Sequence, residues 1–440
     1  MEEITPQNVH SNLRRHMLID GYDLVFDLKR SHGSYIYDSR RGRKFLDFFT
    51  FFASSPIGYN HPKLTSREFQ EKLAYVAVNK VTNSDFYTVE LAEFVDTFSR
   101  VAIPKYLPHL FLISGGALAV ENALKTAFDW KVRKNFAKGY KAERGHQVIY
   151  FQEAFHGRTG YTLSLTNTSD PRKTMYYPKF KWSKVLNPKV TFPLKGENLR
   201  EVERTEEVSL SQIRQAIARN RDDIAAIIIE PIQGEGGDNH FRGEFLKTLK
   251  EIADKEELFL ILDEIQTGVG LTGKMWAHQH FSLEPDIICF GKKSQVCGIL
   301  CGPKVDEIGR NVFQESTRLN STFGGNIVDM VRFQRYLEVI EEENLVENAC
   351  KMGDYLLSKL EEIQESFTQK VSNARGRGLM IAFDLTDPET RDRLKERIYE
   401  NGMVVSGCGE RTIRFRPPLN ISRDEVDEGM TILRKSLEQV

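Results

Sequence analysis

The sequence predicts an α/β fold in two parts: a large domain on a mainly parallel central sheet, and a smaller α+β domain. Three observations predict it. Five short apolar runs, rich in β-branched and aromatic residues, recur through the middle of the chain at 110–113, 148–151, 224–229, 258–262 and 287–290. Continuous apolar runs of this length suit strands buried on both faces. Helix-patterned stretches at 120–135, 210–220 and 243–255 separate several of them, an alternation that builds a largely parallel sheet covered by helices. After residue 327 the order changes to long helices first and strands later.

Taken in order, residues 20–60 read as short strands, at 24–26 and 33–37, divided by polar turns. The turn Gly58-Tyr59-Asn60-His61-Pro62 closes this region. The alternating region follows, interrupted at 193–207 by a polar, irregular stretch expected to be surface loop. Residues 327–364 read as one long helix followed by another; strands are expected at 378–383, 403–405 and 412–415, and a last helix from Arg423. No internal repeat or low-complexity segment is evident. The expected division is 1–61 as the N-terminal segment of the small domain, 62–329 as the large domain, and 330–440 as the rest of the small one. A length of 440 residues suits two or three domains at roughly 100–200 residues each.

Composition narrows the class. Lys+Arg is 61 against Asp+Glu 62, which argues against a dedicated nucleic-acid binder, whose surface carries excess basic charge. No apolar run approaches the ~20 residues that span a bilayer, and the acidic, polar start MEEITPQNVH lacks a secretory layout. Cys289, Cys297, Cys301, Cys350 and Cys408 form no Cys-x-x-Cys and have no His-rich partner set, so neither a disulfide framework nor a metal site is expected. The expectation is a cytoplasmic enzyme with reduced thiols and no membrane or nucleic-acid partner.

In open α/β sheets ligands bind beyond the carboxyl ends of the strands, and here the apolar runs end in chemistry. Ile113 runs into Ser114-Gly115-Gly116-Ala117, a helix N-terminus able to hold a phosphate, or an ordinary strand-to-helix turn. Phe151 leads to Phe155-His156-Gly157-Arg158-Thr159, where Phe155 either stacks on a flat cofactor or packs in the core. Ile229 leads to Glu230 and on to Glu235. Leu262 leads to Asp263 and Gln266; Asp263 suits a cationic ring nitrogen, a metal, or a helix N-cap. Phe290 leads to Lys292 and Lys293, either of them a Schiff-base amine activated by desolvation, or both merely solvated. Arg414, on the 412–415 strand, suits a bidentate grip on a carboxylate, or a surface position. The stretch GVGLTGK at 268–274 imitates a P-loop, but Met275 stands where Ser or Thr must hold magnesium, and no buried strand precedes the glycines.

A phosphate cradle, a stacking ring, an Asp for a ring nitrogen and a late lysine together make the set that pyridoxal 5'-phosphate (PLP) requires. Their order and wording resemble the class III aminotransferases of PLP fold type I. GYNHP, FHGRT, EPIQGEGG, LDEIQTGVGLTG, PDIICFGK, NSTFGGN and IRFRPPL are each similar to a family segment, from about residue 20 to the C-terminus. The stretches GGALAVENALK, FGKKSQVCG and TRLNSTFGGNIVDMVR resemble the branch that acts on the ε-amine of lysine. Where the family usually has Ser-Gly-Ser/Thr-Glu-Ala, this chain has Gly115-Gly116-Ala117-Leu118-Ala119. Ala117 offers no hydroxyl, so a phosphate would lean on backbone N–H groups.

The resemblance implies a role for each residue. Lys292, not Lys293, is the Schiff-base lysine, Asp263 pairs with the pyridinium nitrogen, and Gln266 bonds near the ring hydroxyl. Phe155 stacks on the ring, and Gly116 and Ala117 donate to the phosphate. Thr322 reaches the phosphate of a neighbouring subunit, so a homodimer with shared sites is expected. Arg414 takes the carboxylate beside the reacting carbon of L-glutamate or 2-oxoglutarate. Glu235 is the switch carboxylate that pairs with Arg414 when L-lysine binds, and Arg158 and Asn320 are candidates for lysine's distal carboxylate. The implied products are 2-aminoadipate 6-semialdehyde and L-glutamate. Rival readings are an ω-aminotransferase for ornithine or 4-aminobutyrate, a PLP aminomutase, and a nucleotide-binding protein without transaminase activity.

Overall fold

The structure, a computed structural model, describes residues 3–440. After a short helix at Val9–Leu13, the first strands are β1 (Tyr35–Asp38) and β2 (Arg43–Asp47), an antiparallel pair. Then come β3 (His109–Ile113), β4 (Gln147–Phe151), β5 (Ser183–Val185) and β6 (Ile224–Ile229). The two-residue strands β7 (Ile232–Gln233) and β8 (Asn239–His240) pair with each other. They are followed by β9 (Phe259–Asp263), β10 (Ile287–Phe290) and β11 (Cys297–Cys301). The last third carries β12 (Ser372–Arg377), β13 (Met380–Asp384), β14 (Met403–Val404), β15 (Ser406–Cys408) and β16 (Thr412–Phe415).

The large sheet has seven strands in the order β3-β11-β10-β9-β6-β4-β5. β10, β9, β6, β4 and β5 run parallel, and β11 alone opposes its neighbours on both sides. The five apolar runs are β3, β4, β6, β9 and β10. Every residue of β6, β9 and β10 is buried, which is why they show no polar alternation. The helix Gly116–Ala137 packs on one face through Ala119, Val120, Ala123, Leu124 and Ala127. Fully burying a side chain such as Leu124 contributes about 1.5–3 kcal/mol, and Leu124→Ala would cost about 2–5 kcal/mol.

A four-stranded antiparallel sheet, β12-β13-β16-β15, forms from the tail. β14 runs parallel to β2, so the N-terminal segment and the C-terminal third share a sheet. Helices Ile327–Glu342 and Leu345–Ser366 match the two expected at 327–364, divided at Asn344, whose φ is 52°.

Two expectations are corrected. Residues 24–26 form no strand; Phe26 makes only an isolated bridge to Asp38. The expected loop at 193–207 is helical from Glu197, the start of a helix that runs to Arg219. Its first turns are stabilised by Arg–Glu pairs three residues apart, Glu197–Arg200 and Glu201–Arg204. Such pairs support a solvated helix while resembling irregular polar sequence. Among the described residues no helix is long and apolar enough to cross a membrane.

Candidate active site

The carboxyl ends of the parallel strands face one cavity of about 400 Å³. It is lined by Gly116, Ala117, Phe155, Arg158, Glu235, Asp263, Gln266, Lys292 and Arg414, together with Phe52, His156, Gly157, Lys173, Glu230 and Ile265. The GVGLTGK stretch lies elsewhere, in turns that lead into a short 3-10 helix at Ala277–Phe281 rather than an α-helix. A P-loop needs a helix N-terminus there.

Lys292 follows β10 and opens the turn that returns as β11. Its backbone φ is 54°, a left-handed value that is strained for a side-chain-bearing residue and gathers at functional sites. Burial pushes its amine down to about 8, and the Arg414 charge adds to the shift, against the opposite pull of Asp263 and Glu230. Lys293 points the other way, is fully buried, and donates to the Gln266 carbonyl at 2.5 Å. Burial, with Lys292 and Arg416 nearby, drives its amine well below the usual lysine range. The reading of two solvated lysines is therefore corrected: the strand end delivers both into the interior, one to the cavity and one behind it.

Asp263 ends β9, 4% exposed. One oxygen takes the Nδ1 of His156 at 2.8 Å, and the other accepts the backbone N–H of Ile265 at 3.1 Å. His156 is buried, and its Nε2 has no hydrogen-bond partner among the described residues. The next carboxylate, Glu264, faces away and holds the strand end in place. It accepts His278 Nδ1 at 2.9 Å and the N–H groups of Ala277 and His278. Burial works to raise its pKa, but His278 and Thr267 outweigh it and hold the carboxyl below its usual value. Glu230, at the end of β6, accepts the N–H groups of Phe155 at 2.9 Å and Gly234 at 3.0 Å, which fixes the Phe155 loop. Burial pushes Glu230 up to about 7, against the pull of His156.

Gly116 and Ala117 open the 22-residue helix that follows β3. The first N–H groups of a helix have no intrahelical partner and face anions favourably. Gly157, at φ 120°, folds over this terminus; a Cβ there would meet the Ala117 Cβ at 2.5 Å. The close fit requires both the glycine and the small Ala117.

Arg414 is on β16, 3% exposed. Its Nε donates to Ser406 Oγ at 3.0 Å and an Nη to Gln266 Oε1 at 3.4 Å. The surface alternative for this Arg is excluded by that burial. Arg416 also donates to Gln266 Oε1, at 2.9 Å, and pairs with Asp238 at 2.6 Å. With its oxygen held by two guanidinium groups, Gln266 has its amide N–H₂ left for the cavity. Among the described residues no carboxylate pairs with Arg414. Glu235 faces the same cavity but pairs with Lys173, so the expected Glu235–Arg414 pair is absent in this state. Arg158 stands exposed at the rim.

Phe52 reaches the cavity from a turn in which Thr50, Phe51, Phe52 and Ala53 all have left-handed φ, from 41° to 65°. Asp47 caps the turn by accepting the N–H groups of Phe49 and Thr50, and the Thr50 hydroxyl donates to the Arg416 carbonyl at 2.6 Å. The Arg414 guanidinium lies 5.7 Å from the Phe52 ring centre.

Asn320 and Thr322 are not brought to this cavity. They sit exposed on the 317–325 segment, which is tied to Asn83 and Ser84 through the carbonyls of Ser321 and Phe323. Of the residues the sequence reading missed, His156 and Glu230 lay inside segments already singled out, and burial is what marks them. Lys173 and Phe52 carried no local signal.

The site therefore has an amine held near neutrality, a buried Asp braced by a His, an open helix N-terminus and a buried Arg. These fit PLP: a carbonyl for the amine, a ring nitrogen for the Asp and a phosphate for the helix. The chain belongs to the class III aminotransferases, whose family pattern matches residues 20–437. It is a PLP-dependent transaminase. Over 439 residues it is 49% identical to the L-lysine-epsilon aminotransferase of Mycobacterium tuberculosis, covering 99% of this chain and 96% of that one. It is 47% identical over 435 residues to the L-lysine-epsilon aminotransferase of Amycolatopsis lactamdurans, covering 98% and 96%. The solved structure of the M. tuberculosis lysine aminotransferase in the internal aldimine form superposes with a TM-score of 0.97 over 99% of this chain and 100% of that one.

Proposed function

We propose that the protein transfers the ε-amino group of L-lysine to 2-oxoglutarate, giving 2-aminoadipate 6-semialdehyde (allysine) and L-glutamate. It works as a homodimer in the cytoplasm, where its five free cysteines stay reduced. The observation that carries this reading is the pairing of a near-neutral Lys292 amine with a buried, carboxylate-free Arg414 in one cavity. The likeness to two lysine ε-aminotransferases across nearly the whole chain supports lysine as the donor.

PLP, when bound, supplies an electron-withdrawing ring that stabilises negative charge on the substrate carbon. The chain does the rest. Asp263 keeps a proton on the ring nitrogen, and His156 fixes the orientation of the carboxylate. Phe155 covers the ring face, the Gln266 N–H₂ bonds beside the ring hydroxyl, and the N–H groups of Gly116 and Ala117 hold the phosphate. Lys292 Nζ, neutral in an appreciable fraction near pH 8, removes a proton from the substrate carbon and returns it. Arg414 grips the carboxylate of glutamate or 2-oxoglutarate. Glu235 screens Arg414 when lysine's aliphatic chain lies there, and Arg158 and Asn320 take lysine's distal carboxylate. Thr322 reaches the phosphate site of a second copy of the chain.

The test is the absorption spectrum of the purified protein before and after L-lysine alone. The visible cofactor band is expected to bleach with lysine and return with 2-oxoglutarate. A band that ignores lysine but responds to ornithine or 4-aminobutyrate keeps the chemistry and overturns the donor. Turnover of lysine with no keto acid present points to an aminomutase instead.

A further inference from the structure

Lys173 is not part of any segment the family resemblance uses, yet its side chain lines the active cavity and pairs with Glu235. The pair also forms the wall of a second, solvent-open cavity of about 450 Å³, lined on its far side by Ser169, Asp170, Arg391 and Gly409. Its placement is built. Asp170 caps the short turn Pro171–Lys173, accepting the Arg172 N–H at 3.1 Å. Ser169 Oγ donates to the Gly409 carbonyl at 3.1 Å, and the Gly409 N–H donates to the Glu235 carbonyl at 2.8 Å. These bonds set the Lys173 turn and Glu235 at a fixed spacing through residue 409. Gly409, at φ 52°, is needed there, since a Cβ would lie 2.9 Å from both the Gly236 oxygen and the Gly237 Cα.

Glu235 is only half satisfied. One carboxylate oxygen meets Lys173, while the other is buried with no hydrogen-bond partner among the described residues. Across the cavity, Arg414 has, among the described residues, only neutral hydrogen-bond partners, Ser406 and Gln266. One carboxylate thus has two competing cations, and the structure holds it on Lys173.

We propose that Lys173 is a positioning residue that draws Glu235 off Arg414, leaving Arg414 free for a substrate whose carboxylate adjoins the reacting carbon. The proposal rests on the function given above. By its logic the ion pair tilts the two half-reactions. Glu235 on Lys173 favours glutamate and 2-oxoglutarate; Glu235 on Arg414 favours a donor with an aliphatic chain at that point.

The experiment measures the two half-reactions separately on the holoenzyme, by the change in cofactor absorbance with L-lysine alone and with L-glutamate alone. Lys173→Met keeps the stem and removes the charge. The expected result is a fall of about five- to tenfold in kcat/KM for glutamate, carried mainly by KM, with no fall for lysine; a tenfold change equals about 1.4 kcal/mol. Lys173→Arg restores the ratio. In a Glu235→Gln background, Lys173→Met leaves the ratio unmoved, because the shared carboxylate charge is gone. A loss confined to lysine overturns the proposal and places Lys173 on that substrate's distal carboxylate. Equal losses for both donors, or a further shift in the Glu235→Gln background, overturn it as well. Failure of the function reading shows separately, as a wild-type enzyme unresponsive to lysine, and the glutamate half-reaction still reports on Lys173.

Discussion

The strand-end rim and the 317–325 segment carry equally strong sequence motifs but have different fates in the single chain. The rim gathers nine of the eleven residues singled out, all but Asn320 and Thr322, around one cavity. The segment leaves those two exposed, beside the turn at Asn83 and Ser84. A parallel sheet points its strand ends in one direction, so residues far apart in sequence converge without further help. The chain's own fold anchors the segment through Arg318, paired with Asp129, and through Leu319, packed on the core, but it leaves Asn320 and Thr322 at the surface. One surface is complete within the chain; on the function proposed above, the other is finished by a second copy.

The sharpest test of the rim separates its two adjacent lysines. Lys292→Ala is expected to lower turnover by roughly 10²–10⁴-fold, since it removes the proposed proton carrier. Lys293→Met is expected to keep turnover within about tenfold while lowering the melting temperature, because the Gln266 carbonyl loses its buried donor, a loss of about 1–3 kcal/mol. Equal losses of turnover in both would break the assignment.

The segment is tested by complementation. Lys292→Ala and Thr322→Ala chains, each impaired alone, are unfolded together and refolded as a mixture. If sites are shared, a mixed dimer contains one intact site, and activity rises to about a quarter of wild type, half of the dimers being mixed and half of their sites whole. No gain over the sum of the separate proteins would place Thr322 outside the partner's site.

A smaller effect concerns pH. A lysine pushed down by burial holds fewer protons folded than unfolded between about 8 and its ordinary 10.5. Its cost to the apoprotein is full below pH 8 and is relieved as pH rises through that window. The rate of PLP uptake by apoprotein, which needs the neutral amine, is therefore expected to rise with a midpoint near pH 8. Arg414→Gln is expected to move that midpoint upward, because its charge is the second cause of the shift. A midpoint near 10.5 in the wild type would contradict this.

Five of the large sheet's seven strands are legible as apolar runs, most clearly β6, β9 and β10, where burial on both faces removes polar residues. β11 and β5 are not legible: the run CGILC begins with Cys and Gly, and SKV is three residues with two polar ones. The 197–207 helix start was hidden by its charges. At the site, Asp263, Lys292 and Gly116 follow directly from strand ends, so local sequence announces them. The Lys173–Glu235 pair joins residues 62 positions apart, and the choice of Lys173 over Arg414 as Glu235's partner is a matter of tertiary spacing that no motif encodes. The Phe52 wall depends on four left-handed residues without a glycine among them, a conformation that composition gives no reason to expect.

Lys292 sits in the link between β10 and β11, both interior strands of the large sheet, and that link is further clamped where Gln295 donates to the Ser54 carbonyl at 2.8 Å. The backbone at this point has no hinge. The lysine amine therefore moves by rotation about its own side-chain bonds. On the mechanism proposed above, proton transfer at Lys292 would not wait on a movement of this link.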